Sequence, residues 1–312
     1  HFVINLVILV LAVSALFINK IWLYIIFYVL AFICALVNKP MKNAKKPLVY
    51  TARVKRMLVT DAIVSAAAYA AAFFAGSEKR ALFGFALTLA FMPFLVLIGN
   101  FINAPIEKGI RQYYINDAKK MLKACPDLKV IGITGSYGKT SVKYFLSTAL
   151  KAKYNVLMTP ESYNTPMGVV KTIREQLRPT HEIFVCEMGA RNVGDIKEIC
   201  DIVFPDYGII TSIGEQHLES FKSIDNIVKT KFELYDAVPD KKNMFLNGDN
   251  QYISAKLAKN PNAGFHTYGI GSQNETYASD IRVTRKGTSF SVVCGNEKIE
   301  NHDPYLVLKS SH

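Results

Sequence analysis

The chain has 312 residues, half of them hydrophobic, and a formal net charge of +12. Such a charge suits nucleic acid or a membrane surface, but many basic residues lie beside apolar runs, so we expect no nucleic-acid partner. The five cysteines include no CxxC pair and no metal-ligand spacing, which argues against a zinc site or a disulfide framework and indicates reduced thiols.

Four apolar stretches come first, and each is close to the roughly 20 residues that a helix needs to cross a bilayer. They cover about 2–18, 21–37, 57–76 and 81–102. We therefore predict a transmembrane region of four helices over 1–104 and a basic linker helix over 105–127. Two alternatives remain open. The first stretch could be a signal peptide, although no small-residue cleavage site follows it, and the alanine-rich third could be a buried helix of a small bundle.

The loop between the second and third stretches sets the expected orientation. It reads "NKPMKNAKKPLVYTARVKR", with seven basic residues and no acidic one. Such loops lie on the cytoplasmic side. We therefore predict a multi-pass protein of the cytoplasmic membrane, with membrane lipid as a partner and with everything after about Ala104 in the cytoplasm, where ATP is available.

The rest of the chain alternates between strand-like and helical patterns. Five strand-like apolar segments are each followed by a helical segment. They read "KVIGIT", "YNVLMT", "EIFVCE", "YGIITSI" and "NMFLN". This alternation predicts an α/β fold with a mostly parallel, P-loop-type sheet. Short strands with turn residues follow Ala263, so we expect a small β appendage within one ATP-binding domain over 128–312.

A glycine-rich loop, "GITGSYGKTS", follows the first of these strands. Its glycines do not have Walker A spacing, but Gly135 and Gly138 allow backbone N–H groups to approach an anion at the start of a helix. Lys139 would contact the β- and γ-phosphates, and the Thr140 hydroxyl would bind Mg²⁺. A plain tight turn is the alternative for the glycines alone.

Polar residues also follow the later strands, and ligands bind beyond the carboxyl ends of strands in open α/β sheets. Glu187 ends "IFVCE", His217 follows "IITSIGEQ", and Asn247 and Asp249 follow "MFL". Each alone could be an ordinary loop residue, and "NGD" could be a plain turn.

Together these segments resemble the central ATPase domain of the Mur ligase family over about Leu128–Leu306. The similar segments are "GITGSYGKTS", "CEMGARNVGDI", "TSIGEQHLESFKSIDNIVKTKFEL" and "LNGDN". The wording around "HLESFKSIDNI" is most similar to the family member that adds D-alanyl-D-alanine to a cell-wall precursor. The resemblance implies an ATP-dependent ligase that makes an amide bond through an acyl phosphate, in peptidoglycan precursor or cell-envelope synthesis.

The resemblance also implies a set of site residues. Catalytic roles fall on Lys139, His217 and Lys231. Nucleotide contacts fall on Gly135, Ser136, Tyr137, Gly138, Lys139, Thr140, Ser141, Asn164, Asn247 and Asp249. Metal ligands are Thr140, Glu187, His217 and Lys231. ATP and two Mg²⁺ ions are the implied cofactors, with Lys231 carbamylated, and a small carboxylate and an amine are the implied substrates.

The sequence departs from the family pattern at both ends. Apolar stretches stand where soluble Mur ligases have a sugar-binding domain, and no closing C-terminal domain follows, so we expect a fragment that is inactive by itself. A lipid-linked substrate and contacts with other cell-envelope enzymes are further expectations. The alternatives are a folylpolyglutamate, cyanophycin or polyglutamate type of ligase, or a non-catalytic nucleotide-binding scaffold; a transport ATPase fits less well.

Overall fold

A computed structural model of the chain describes residues 49–74, 92–161, 163–216, 218–259, 264–284, 287–295 and 297–301. The helices within them are α1 (Ala52–Phe74), α2 (Met92–Lys123), α3 (Lys139–Lys151), α4 (Pro166–Gln176), α5 (Asp195–Val203), α6 (Leu218–Phe221), α7 (Ile224–Ala237) and α8 (Gln251–Leu257). The strands are β1 (Lys129–Thr134), β2 (Val156–Met158), β3 (Ile183–Glu187), β4 (Tyr207–Ile210), β5 (Met244–Asn247), β6 (His266–Gly269), β7 (Thr276–Thr284), β8 (Gly287–Cys294) and β9 (Glu297–Asn301).

The described strands form one sheet in the order β2-β3-β1-β4-β5-β6-β7-β8-β9. All pairs from β2 through β7 are parallel, and β7, β8 and β9 pair antiparallel. The predicted α/β class with a mostly parallel sheet is confirmed. Each predicted strand is present within two or three residues of its predicted bounds.

Several helices begin where a side chain can cap them. Thr165 accepts a hydrogen bond from the Gly168 N–H at the start of α4, where Pro166 occupies the first helical position. Ser223 accepts one from the Asn226 N–H at the start of α7. These caps fix the first residues of α4 and α7.

Alternate residues of the strands pack on opposite faces of the sheet, as the period of two requires. On one face Ile133 and Val185 pack against α3. On the other face Phe184 and Leu246 are among the buried residues that pack with α4, α5 and α7. Apolar side chains on both faces are what a parallel sheet needs, and they account for the continuous apolar runs in the sequence.

The predicted β appendage forms but is not a separate layer. β6 continues the parallel sheet beside β5, and β7 to β9 extend the same sheet from there. The hairpin side chains are mostly half-buried or exposed, unlike those of the central strands.

The described residues before Tyr113 form a helical pair held by polar contacts. Arg56 on α1 forms an ion pair with Glu107 on α2 at 2.7 Å. One turn further along α1, the Thr60 hydroxyl donates to Oδ1 of Asn103 at 3.2 Å. The Asn103 amide in turn donates to the Gly99 carbonyl at 2.9 Å.

Within the described residues, no helix combines the length and the apolar character that crossing a membrane requires. Helix α1 carries the charged residues Arg53, Lys55, Arg56 and Asp61. The apolar sequence of α2 is interrupted by Asn100, Asn103, Pro105 and Glu107, although the helix itself is continuous. The predicted four-helix transmembrane region has no support among the described residues, and the predicted multi-pass location in the cytoplasmic membrane is wrong. The predicted spans over 2–18 and 21–37 lie outside the described residues, as do 75–76 of the third span and 81–91 of the fourth.

The chain divides into two compact units between Gln112 and Tyr113, within α2. In the second unit Ala118 and Leu122 of α2 lie in the main apolar core. Arg174 on α4 holds this part of α2 through an ion pair with Asp117 at 2.6 Å. The boundaries predicted from sequence, at 104 and 127, stay predictions.

Candidate nucleotide and metal site

The glycine-rich loop joins β1 to α3 in a backbone shape that glycine allows. Gly135 has φ 151° and Gly138 has φ 81°. A Cβ on Gly135 would lie 2.0 Å from Oγ1 of Thr211, so the loop also needs glycine for space. Gly138 precedes the first turn of α3 and offers no side chain to cap it. The positive end of α3 therefore faces this loop, as in anion-binding sites.

The loop is tied to the segment that follows β4. The backbone N–H of Ser136 donates to the Ser212 carbonyl at 2.7 Å, and the N–H of Tyr137 donates to the Ser212 hydroxyl at 3.1 Å. The Thr211 hydroxyl donates to the Tyr137 carbonyl at 2.6 Å. The Tyr137 ring itself is exposed. These bonds hold the loop at the edge where the strands end.

The side chain of Lys139, the first residue of α3, folds back onto the glycine-rich loop. Its ammonium donates to the carbonyls of Gly135, at 2.6 Å, and Ser136, at 3.0 Å. Burial lowers the pKa of Lys139, and the negative charge of Glu187 opposes part of this effect. Ser141, two residues further along α3, is exposed. The ammonium is thus held by carbonyls of the loop that precedes α3.

A carboxylate from the neighbouring strand lies beside the loop. Glu187 is the last residue of β3, and the sheet register places it opposite Ile133 of β1. Its Oε1 accepts hydrogen bonds from the Thr140 hydroxyl at 3.1 Å and from the Asn164 amide at 3.0 Å. A glycine at 189 makes room for Asn164, because a Cβ there would come within 2.8 Å of the amide group.

The Thr140 hydroxyl and the Glu187 carboxylate are hard oxygen donors of the type that Mg²⁺ prefers. Their closeness fits one such ion. Among the residues that the structure describes, no cluster of three or more His, Cys, Asp or Glu side chains could hold a metal. Mg²⁺ bound with a nucleotide uses one or two carboxylates together with phosphate oxygens, so a larger cluster is not required.

Lys231 lies on α7 and is almost entirely buried. Burial, and then the positive charge of Lys139, lower the pKa of its amine to about 8, while Glu233 and Asp195 act in the opposite direction. Lys139 is therefore close enough to Lys231 for its charge to affect the pKa of that amine. His217, predicted to act with Lys231 on a second metal, lies outside the described residues.

Asn247 and Asp249 use their side chains within the protein. The Asn247 amide donates to the Thr211 carbonyl at 2.8 Å. The Asp249 carboxylate accepts bonds from the backbone of Ile270 and Gly271 and from the amide side chains of Gln273 and Asn274. Partial burial disfavours its charge, but these bonds together lower the pKa of Asp249. Nucleotide contacts of the two residues stay a prediction.

Sequence reasoning did not single out Lys143, which lies fully buried against Glu187. A signal was present, because Lys143 follows Lys139 by four residues and so shares its face of α3. Sequence reasoning also did not single out Thr211 and Ser212, whose hydroxyls hold the glycine-rich loop through the Tyr137 carbonyl. Their importance depends on the distance between β1 and β4, which sequence spacing does not give.

Comparison with known proteins places this arrangement in a family. The family model for the Mur ligase middle domain matches residues 133–305, more than half of the chain. The chain belongs to the Mur ligase family. This confirms the resemblance drawn from the loop and from the motifs behind it.

Individual Mur ligases are similar over the same region. The chain is 32% identical over 180 residues to the UDP-N-acetylmuramoyl-tripeptide–D-alanyl-D-alanine ligase of Buchnera aphidicola, covering 57% of this chain and 39% of that protein. It is 30% identical over 164 residues to the Bacillus subtilis enzyme of the same name, covering 53% of this chain and 35% of that protein.

A solved structure agrees with the sequence matches. The MurF ligase of Thermotoga maritima in complex with ADP superposes with a TM-score of 0.55 and 27% identity, covering 61% of this chain and 43% of that one. The chain therefore spans less than half of the length of each of these proteins.

Proposed function

We propose that this protein is an ATP-dependent ligase of the Mur type, which forms an amide bond through an acyl phosphate. The observation that carries the proposal is the convergence of the Thr140 hydroxyl and the Asn164 amide on the Glu187 carboxylate, beside a glycine-rich loop at the start of a helix. This combination pairs a phosphate cradle with oxygen ligands for Mg²⁺.

The relatives supply the proposed substrates. Those reported above are named for joining UDP-N-acetylmuramoyl-tripeptide to D-alanyl-D-alanine, and the similar solved MurF holds ADP. We therefore take a UDP-linked peptide carboxylate as the acceptor and the dipeptide amine as the nucleophile, within peptidoglycan precursor synthesis. The membrane lipid partner that the sequence suggested has no support in this proposal.

The reaction has two displacements. A carboxylate oxygen of the acceptor attacks the γ-phosphorus of ATP, the bond from that phosphorus to the β–γ bridging oxygen breaks, and ADP leaves. The amine nitrogen then attacks the acyl carbon, inorganic phosphate leaves, and the nitrogen loses a proton. Negative charge spreads over the transferred phosphoryl oxygens, so positioning and cations provide most of the catalysis.

The chain offers a cation and a helix terminus for that charge. Lys139 would exchange its bonds with the loop carbonyls for bonds with the β- and γ-phosphates, while the backbone N–H groups of the loop and of the first turn of α3 would hold the same oxygens. Thr140 and Glu187 would hold Mg²⁺, which when bound neutralises phosphate charge.

We also propose that Lys231 is carbamylated in the active protein. An amine reacts with carbon dioxide only when it is neutral, and burial together with the charge of Lys139 lowers the pKa of Lys231 to about 8. A neutral fraction is therefore available near physiological pH. The carbamate would replace a charge that repels metal with one that binds it, in partnership with His217.

Lys139→Ala tests the site. Loss of a partly buried cation that contacts phosphate should weaken ADP binding by about 2 kcal/mol or more, which is roughly 30-fold. Calorimetric titration with ADP and MgCl₂ measures this change. Lys151→Ala, at the exposed far end of the same helix, is the matched control and should bind ADP as the unchanged protein does. Equal affinities in all three proteins would overturn the site.

Turnover tests the reaction. The full-length protein should release phosphate from ATP only when both the UDP-linked tripeptide and D-alanyl-D-alanine are present. Nucleotide binding without any acceptor-dependent phosphate release would instead favour a scaffold that binds nucleotide.

A further inference from the structure

A second lysine of α3 lies in the interior of the site. The Lys143 side chain is fully buried, and its ammonium is 3.0 Å from Oε2 of Glu187. The two residues are far apart in sequence but meet because β3 lies next to β1 in the sheet. Lys143 therefore contacts the oxygen of Glu187 that faces away from Thr140.

The two oxygens of Glu187 have different surroundings. Oε1 accepts hydrogen bonds from two neutral donors, Thr140 and Asn164. Oε2 has no well-aligned hydrogen bond from any described residue, and the Lys143 ammonium is the cation beside it. Burying a carboxylate carries a large desolvation cost, which the Lys143 ammonium at 3.0 Å offsets, and the same contact fixes the orientation of the carboxylate.

Lys143 also holds the loop that supplies Asn164. Its ammonium donates to the backbone carbonyl of Glu161, a residue with φ 41° in the left-handed region. Such a conformation is unfavourable for a residue with a side chain and needs support from its surroundings. The same loop continues to Asn164 and then to Thr165, which caps α4. One ammonium thus joins the carboxylate to the loop that contacts it.

We infer that Lys143 is a positioning residue. It fixes Glu187 through Oε2 and the loop residues 159–161 through the Glu161 carbonyl, so that Oε1 stays directed at Thr140 for Mg²⁺. This inference rests on the proposed nucleotide and metal site. Lys143 acts from behind the carboxylate and does not touch the phosphates. It differs from Lys139, whose ammonium lies on the phosphate loop.

A double-mutant cycle distinguishes a positioning role of Lys143 from that of a purely structural ion pair. The four proteins are the unchanged chain, Lys143→Met, Glu187→Gln and the double variant. The measurement is the MgCl₂ concentration that half-saturates the Mg²⁺-dependent increase in ADP affinity, with ADP binding in EDTA as the metal-free reference. Lys143→Met should raise this concentration by about tenfold or more, as loss of an outer partner of a metal ligand does.

The double variant gives the decisive comparison. If Lys143 acts through Glu187, adding Lys143→Met to Glu187→Gln should change the Mg²⁺ requirement by less than about twofold, because the carboxylate is already absent. The double variant also replaces the buried ion pair by a neutral one, so it should fold even where a single variant leaves a lone buried charge. Lys151→Met is the control, and its Mg²⁺ requirement should match that of the unchanged protein.

Two results would overturn the inference. One is a Mg²⁺ requirement in Lys143→Met that equals or falls below that of the unchanged protein. The other is an equal loss of ADP affinity in EDTA and in MgCl₂, which would indicate general damage rather than a misplaced ligand.

Hydrogen exchange without any ligand tests the positioning independently of the proposed function. In Lys143→Met the backbone amides of Glu161 and of 163–165 should exchange about tenfold faster, while those of β5 should keep their rates. Unchanged exchange in that loop would overturn the inference. If the unchanged protein shows no Mg²⁺-dependent ADP binding, the proposed function fails, and the exchange result still decides whether Lys143 holds the loop.

Discussion

At the scale of a single residue, Lys231 shows how burial changes the chemistry that a side chain offers. The sequence places it fourteen residues after His217, which is all that spacing can provide. Burial on α7 and the nearby charge of Lys139 then lower the pKa of its amine to about 8 from the ordinary 10.5. The protein therefore keeps an amine that is easily neutral close to its phosphate loop.

This lowered pKa predicts a pH dependence of stability. Between about pH 8 and 10.5 the unfolded chain holds the Lys231 proton more tightly than the folded protein does, so the free energy of unfolding should rise with pH. The full rise from this residue is roughly 3 kcal/mol. In Lys231→Met that rise should be missing, as measured by urea denaturation at a series of pH values in bicarbonate-free buffer.

Lys229→Met is the control, because Lys229 is exposed on the same helix and should leave the pH profile as it is. Parallel profiles for the unchanged protein and Lys231→Met would contradict the prediction. Labelled bicarbonate added near pH 8 should give a carbamate resonance with the unchanged protein and none with Lys231→Met.

At the scale of elements, the loop between β1 and α3 depends on the segment after β4. Gly135 has a left-handed φ of 151°, and the space where its Cβ would go is filled by the Thr211 hydroxyl. The Thr211 and Ser212 hydroxyls in turn donate to the Tyr137 carbonyl. The loop therefore keeps its shape through contacts with a segment that lies more than seventy residues later in the chain.

Gly135→Ala should disturb this packing. The added methyl group would meet the Thr211 hydroxyl and the Ser212 backbone, and the backbone conformation is itself unfavourable for alanine, so we expect a loss of about 2–4 kcal/mol in the free energy of unfolding. Denaturant unfolding measures the loss, and ADP binding should weaken with it.

The matched control is Gly194→Ala. Gly194 also has a left-handed φ, of 96°, but a Cβ there meets nothing within 4 Å. It should lose only the conformational part, about 1 kcal/mol. Equal losses at the two glycines would show that the space beside Thr211 is not limiting.

At the scale of the whole molecule, the sheet gathers the site from separate parts of the chain. β1 lies between β3 and β4, so the loop, Glu187 and the Thr211 segment all reach the same edge. The second compact unit also includes the last part of α2, where Ala118 and Leu122 are buried in the main core. That unit therefore begins before the first strand.

Two shortened chains test this boundary. A chain that starts at Tyr113 should fold and bind ADP, because it keeps the buried residues of α2. A chain that starts at Leu128 should lose about 2 kcal/mol for each large apolar side chain removed, Ile115 and Leu122 among them, as well as the ion pair of Asp117 with Arg174. Thermal unfolding monitored by circular dichroism compares them. Equal melting temperatures would support the boundary near 127 that the sequence suggested.

Much of the fold was predictable because its signals are local. Apolar runs of five or six residues alternate with helical patterns, and caps such as Thr165 and Ser223 mark helix starts. The transmembrane prediction has no support for the described helices, because the length of an apolar run does not show which polar contacts the helix makes. Asn103 and Glu107, which continue α2 directly after the fourth predicted span, make polar contacts with α1 that an apolar average does not reveal.

The sequence by itself determined the phosphate loop, the order of strands and helices along the chain, and the resemblance to the Mur ligases, since each depends on neighbouring residues. Only the tertiary structure decided which side chains meet. Glu187 lies beside Thr140 and Lys143 because β3 pairs with β1, and the pKa of Lys231 falls because α7 buries it near Lys139. Distances between strands and the exclusion of water arise from packing, and no spacing within the sequence encodes them directly.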